Sequence, residues 1–95
     1  MEIKEIIKRN YQAQIRRKLI TPSIHICTFM NKLKEEVQEL EASQWDALLD
    51  DVSPVIDEKE LADVTLVCFA IAEHYKIDLI KEMENKMLFN ETRED

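Results

Sequence analysis

Glycine is missing altogether from this 95-residue chain, and there are only two prolines. With these breakers so scarce and Glu, Lys, Leu, Ile and Ala abundant, the composition favours helices. Straight side chains lose little freedom in a helix, whereas glycine would cost stability there. Cysteine is scarce too. Cys27 and Cys68 show no CxxC spacing, and Met1 to Asn10 carries charges throughout, unlike a signal peptide. A reduced cytoplasmic protein is the default expectation, with both cysteines read as small apolar residues. The longest uncharged run, Val64 to Ala72, is too short to span a bilayer. Basic residues are outnumbered, 13 Lys and Arg against 20 Asp and Glu, for a formal net charge of −7. A fold-wide basic footprint for nucleic acid is therefore absent. Free polyphosphate would be repelled unless a cation stood between.

What is present predicts one all-α domain over residues 1–95, a four-helix bundle. The first helix is expected from Glu2 to Leu19, with Ile3, Ile6, Ile7, Tyr11 and Ile15 at helical spacing. Thr21-Pro22 reads as an N-cap with proline at the first helical position, opening a second helix that ends near Ala42 or Ser43. Residues 44–56 read as a connector with at most one short turn around Asp46 to Leu49. Asp57 is a good N-cap for a third helix to about Tyr75, and Asp78 for a fourth to about Thr92. The third helix carries the uncharged "VTLVCFAIA". A helix apolar all round is buried all round, and a chain this small has little with which to wrap it. Homo-oligomerisation through the third helix, as a dimer or tetramer, is the expectation.

The second helix contains "KLKEEVQEL". At 100° per residue, Glu36 lies within about 60° of Phe29, Leu33 and Leu40, on the apolar stripe. Glu39 borders that stripe, and Glu35 lies about 40° further out. On the third helix Glu60 shares a stripe with Val64, Val67 and Ile71, and Asp63 follows three residues on. Each helix thus offers two acids three residues apart. Burying unpaired carboxylates costs several kcal/mol or forces protonation. A hard divalent cation such as Mg²⁺ removes that difficulty, since it seeks oxygen ligands, and carboxylates from facing helices can build such sites in a bundle core. The plainer alternatives are a solvated face with Lys32 paired to Glu35 or Glu36, and a capping box in which Glu60 answers Asp57. Asp63 fits neither, since it opens the most apolar stretch without capping a helix.

"EEVQEL", followed about twenty residues on by "EKELADVTLVCFAIAEHYKIDLIKEMENKMLFNETR", resembles the all-α nucleotide pyrophosphohydrolases, the MazG-like superfamily. Glu35, Glu36 and Glu39 match its EExxE, and Glu60 and Asp63 its ExxD. Lys76-Ile77-Asp78-Leu79 matches a "GIDL"-like turn, and Lys86, Asn90 and Arg93 match the cations and amide of its last helix. The likeness covers residues 33–93. It implies Mg²⁺-dependent (Mn²⁺ as an alternative) hydrolysis of a nucleoside triphosphate substrate to monophosphate and pyrophosphate. Metal is expected on Glu36, Glu39, Glu60 and Asp63, with Glu35 or Glu36 accepting a proton from water. Lys86, Asn90 and Arg93, on one helical face, would hold phosphate or sugar, or else simply complement the helix end. Trp45 would stack on a base or cover the core. Arg16, Arg17 and Lys18 form the one basic cluster, read as a solvated helix end, and His25 and His74 read as surface residues. The competing class is a non-catalytic helical oligomer, an adaptor or regulator whose acids are surface groups. Neither nucleic acid nor a membrane is expected as a partner.

Overall fold

The computed structural model describes residues 1–49 and 56–94. Four helices account for most of them, α1 (Ile3–Arg16), α2 (Ile26–Leu49), α3 (Glu58–His74) and α4 (Leu79–Thr92). No strand occurs among the described residues, and no helix among them is long and apolar enough to cross a membrane. The all-α expectation holds in this form. The expected connector does not hold over 44–49, because α2 runs on through Leu49. The remainder of that stretch, 50–55, lies outside the described residues.

Helix starts follow side-chain chemistry. Asp57 Oδ1 accepts from the backbone N–H groups of Lys59 and Glu60 at 2.9 and 3.1 Å, and Asp78 caps α4 through Lys81 N–H at 3.2 Å. Thr21 does not cap α2. Its carbonyl accepts from Ile24 N–H at 3.1 Å, making a turn with Pro22 in second place. Proline's fixed φ serves that position as well as it serves a helix start. The helix begins two residues past the turn, at Ile26, where His25 Nδ1 accepts from Cys27 N–H at 3.1 Å.

Helix ends carry the mark of a chain without glycine. After α1 and α3 one residue must turn left-handed, and it is lysine both times, Lys18 (φ 61) and Lys76 (φ 56). The next N–H reaches back across the last turn, Leu19 to Gln14 carbonyl at 3.0 Å and Ile77 to Ala72 carbonyl at 2.8 Å. That is a Schellman closure, usually given to glycine, and it costs a residue with a Cβ about 1–2 kcal/mol. The first closure stops α1 at Arg16 and turns the chain so that Ile20 is buried.

The core lies where α3 packs between α1 and α2. Ile20, Phe29 and Ala70 form its centre, with Tyr11, Ile15, Ile24 and Ile71 around them. Phe29 is fully buried and meets the His74 and Tyr75 rings edge-on at 5.0 and 6.3 Å. Tyr11 Oη lies 2.8 Å from His74 Nδ1, and burial, then the Glu73 charge, raises the tyrosine pKa. His74 is thus a half-buried core partner rather than a surface residue, while Cys27 is exposed rather than packed.

Val67, Phe69, Ala70 and Ala72 are buried within the single chain, so α1 and α2 cover more of α3 than its length of apolar sequence suggests. Leu61 of α3 stays exposed, and a longer run of exposed apolar side chains lies on α4. None of its residues is buried, and Met83, Met87, Leu88 and Phe89 are 50–56% exposed. Only its first turn, Leu79 and Ile80, is half-buried, in a groove shared with Ile7 of α1.

Candidate metal centre

Packing of α2 against α3 brings Glu36, Glu60 and Asp63 together. One carboxylate oxygen of each lies within 4.8 Å of those of the other two. Glu36 and Glu60 are half-buried and Asp63 is exposed. The inward position of Glu36 follows from its place on the stripe that buries Phe29. Glu60 and Asp63 are aligned by the Asp57 cap, which fixes where α3 begins. That cap uses only the Glu60 backbone. The Glu60 carboxylate does not answer it, since its Oε2 is buried with no hydrogen-bond partner.

The electrostatics match this crowding. The Glu36 pKa is raised, first by burial and then by the charges of Glu39 and Asp63. Glu60 is raised by the same causes in the same order, with Asp57 adding to them. Glu39 is exposed but acts on both, so the four acids expected together share one electrostatic neighbourhood. Among the described residues none of the four has a basic side chain within ion-pair distance. The ion pair found is Arg9 to Glu5 at 3.7 Å, on α1. Lys32 pairs with neither Glu35 nor Glu36. A Lys placed before a Glu at i,i+4 is the weaker order for such a pair.

Three buried side-chain atoms among the described residues lack a hydrogen-bond partner: Gln14 Oε1, Glu36 Oε2 and Glu60 Oε2. All three are oxygens, and Gln14 and Glu36 line the same cavity. An all-oxygen, donor-poor set suits a hard cation. Two oxygens across a Ca²⁺ lie about 4.8 Å apart and across Mg²⁺ about 4.2 Å, twice the usual bond lengths. Three oxygens within 4.8 Å of one another therefore lie close enough to share either ion.

That cavity, of about 170 Å³, is bounded by Asn10 and Gln14 of α1, Arg17 just past its end, Lys32 and Glu36 of α2, and Asp63 of α3. Asn10 Nδ2 donates to the Leu66 carbonyl at 2.9 Å, and Gln14 Nε2 donates to Asn10 Oδ1 at 3.1 Å. Sequence reading did not single out Asn10, Gln14 or Lys32 for this wall and gave Arg17 to a solvated helix end. The acids stood out by spacing, whereas this wall exists only once α1 lies across α3.

Other expected site residues stand apart from the cluster. Glu35 is exposed. Trp45 is 65% exposed, so it does not cover the core. Lys86 and Asn90 line a separate shallow groove on α4 with Met83 and Met87, and the Lys86 ammonium lies 5.0 Å from the Phe89 ring centroid. Arg93 caps the C-terminus of α4, its N–H bonded to the Phe89 carbonyl at 3.2 Å. The single chain does not bring Lys86 and Asn90 into the acid-lined cavity. No protein-family model matches the chain, and neither does any curated protein or any solved structure.

Proposed function

We propose that the protein is a divalent-cation-dependent nucleotide pyrophosphohydrolase, converting a (d)NTP and water to the monophosphate and pyrophosphate. The observation that carries this reading is the pair of buried, donor-less carboxylate oxygens of Glu36 and Glu60, set beside Asp63 with no basic partner. Such an arrangement is unfavourable by itself and favourable around a cation. The choice of nucleotide as substrate rests on the sequence likeness to MazG-like enzymes. When bound, Mg²⁺ or Mn²⁺ would offset phosphate charge and ease the deprotonation of water.

The chain's own contributions are distinct. Glu36, Glu60 and Asp63 hold the cation, and Glu39 closes the exposed side of the set. Glu35, one residue outside the cluster and in water, is free to take up a proton, which makes it the better base than Glu36 once Glu36 is a ligand. A nucleotide panel assayed chromatographically with Mg²⁺ or Mn²⁺ tests the reaction. Monophosphate and pyrophosphate are the expected products, and orthophosphate release, or no turnover on any nucleotide, sinks it.

A second reading has its own observation. The exposed Met83, Met87, Leu88 and Phe89 of α4 suit an assembly surface, as in a helical adaptor or a homo-oligomer. An isolated helix of about this length is marginal in water. Light scattering decides whether a second copy provides the cover.

A further inference from the structure

We propose that Arg17 and Lys32 are the phosphate-binding side chains of this site. The proposal rests on the metal-centre reading above and deepens it.

Arg17 and Lys32 share one cavity with Glu36 and Asp63, yet no ion pair joins the two sides within 4.0 Å. Opposite charges that border one space without touching leave room for something between them. A lone anion would meet the acids' repulsion, and a lone cation would meet that of Arg17 and Lys32. A cation–phosphate complex satisfies both walls. Its cation faces the carboxylates, and its phosphate oxygens face the guanidinium and the ammonium, which bind such oxygens by charge-assisted hydrogen bonds.

Cavity size supports a partial rather than a whole ligand. About 170 Å³ is well below the roughly 300–1,000 Å³ of sites that enclose a drug-sized molecule. It is ample for phosphate with its cation and waters, with the nucleoside outside. Gln14 adds a third element on the same wall. Its Nε2 is engaged by Asn10, and Asn10 by the Leu66 carbonyl, so the amide cannot flip without breaking the relay. It offers the site only an acceptor, Oε1, which lacks a donor. An acceptor there opposes phosphate, which leaves the phosphate to Arg17 and Lys32.

Against an overall charge of −7, such a local pair of positive charges would favour a polyphosphate here. The resemblance directs attention to the last helix, but Lys86 lies in a different groove. Arg17 and Lys32 lie outside residues 33–93, which carry the resemblance.

Calorimetry on the full chain tests this with two titrants, Mg²⁺ alone and pyrophosphate in saturating Mg²⁺. Arg17→Gln and Lys32→Met should each weaken pyrophosphate binding roughly tenfold or more, the loss expected for a hydrogen bond to a charged group. Both should bind Mg²⁺ at least as tightly as the wild type does, because neither is a ligand and each variant removes a positive charge facing the cation. Lys32→Met keeps the apolar stem of this half-buried side chain, and Arg17→Lys, which keeps the charge, should restore part of the affinity. Lys86→Met should leave pyrophosphate affinity within twofold of wild type. Unchanged pyrophosphate binding in both Arg17→Gln and Lys32→Met overturns the assignment while leaving the metal centre standing. Failure of the wild type to bind Mg²⁺ overturns the metal centre and this proposal with it.

Discussion

The acid cluster and α4 depart from ordinary surface chemistry in opposite senses. Between α2 and α3, charged groups are half-buried and lack partners. On α4, large apolar groups stand in water. Both lie outside the core centred on Phe29 and Ala70. The two faults call for different remedies. Donor-less carboxylates either take up protons or, on the reading proposed above, hold a small hard cation whose charge offsets their burial and mutual repulsion. A strip of methionine, leucine and phenylalanine needs area, which only another polypeptide surface supplies. The first therefore reads as chemistry and the second as assembly.

The largest effect expected lies on the acid side. Glu36→Ala and Asp63→Ala should each lower turnover about 100-fold or more, since removing one group that stabilises transition-state charge costs that much. The helical circular dichroism signal should persist, because neither side chain holds the core. Turnover within a few-fold of wild type in both variants would remove the cluster from the chemistry. Phe29→Ala sharpens the contrast from the side of the core. It should cost about 3–5 kcal/mol in urea unfolding, through lost burial and the cavity left among Ile20, Ala70 and His74. A loss below 1 kcal/mol would mean that the core is not centred there.

The two faults were not equally legible in the sequence. ExxE and ExxD at three-residue spacing announced the acids, and a helical wheel put Glu36 inward. Asp57 and Asp78 announced two helix starts, because an aspartate before a helix has one clear local use. Helix ends were harder to read. With no glycine to mark the left-handed positions, Lys18 looked like an ordinary charged residue, and Lys76 stood out only by taking the glycine's place in the "GIDL"-like turn. Proline misled at position 22, where a turn and a helix start make the same demand on φ. The wall of Asn10, Gln14, Arg17 and Lys32 is a product of tertiary packing and leaves no periodic trace. Periodicity also cannot tell whether an apolar face is covered by its own chain, as most of α3 is, or left open, as α4 is.

The acid cluster should also show itself in pH dependence. Glu36 and Glu60 have pKa values raised above the ordinary carboxylate value of 4.5. Above that value the native state then binds more protons than the unfolded chain. Without metal, the stability from this source is present at low pH and is lost as pH rises through the raised values. Saturating Mg²⁺ should reverse the slope, because protons then compete with the ion for the same oxygens. Melting from pH 4 to 8 with chelator, and again with Mg²⁺, reads both slopes. The reversal should shrink in Asp63→Asn. Parallel slopes in the two conditions would mean that the ion does not bind at these carboxylates.

The smallest effect on folding should come from α4. Met83 and Met87 lie one turn apart and are half exposed, so little of either is buried within its own chain. Met83→Lys and Met87→Lys should therefore change the unfolding free energy of the isolated subunit by no more than about 0.5 kcal/mol, as for other surface substitutions. Their effect on assembly should be much larger. A charged ammonium in an apolar contact must be desolvated, so light scattering should shift from a multiple of the subunit mass to that of one subunit. The buried apolar stretch of α3 gives the control. Val67→Lys should destabilise the subunit itself, because that side chain is buried within its own chain. Assembly that survives both α4 substitutions would move the contact elsewhere, to the exposed Leu61 and Ala62 at the start of α3.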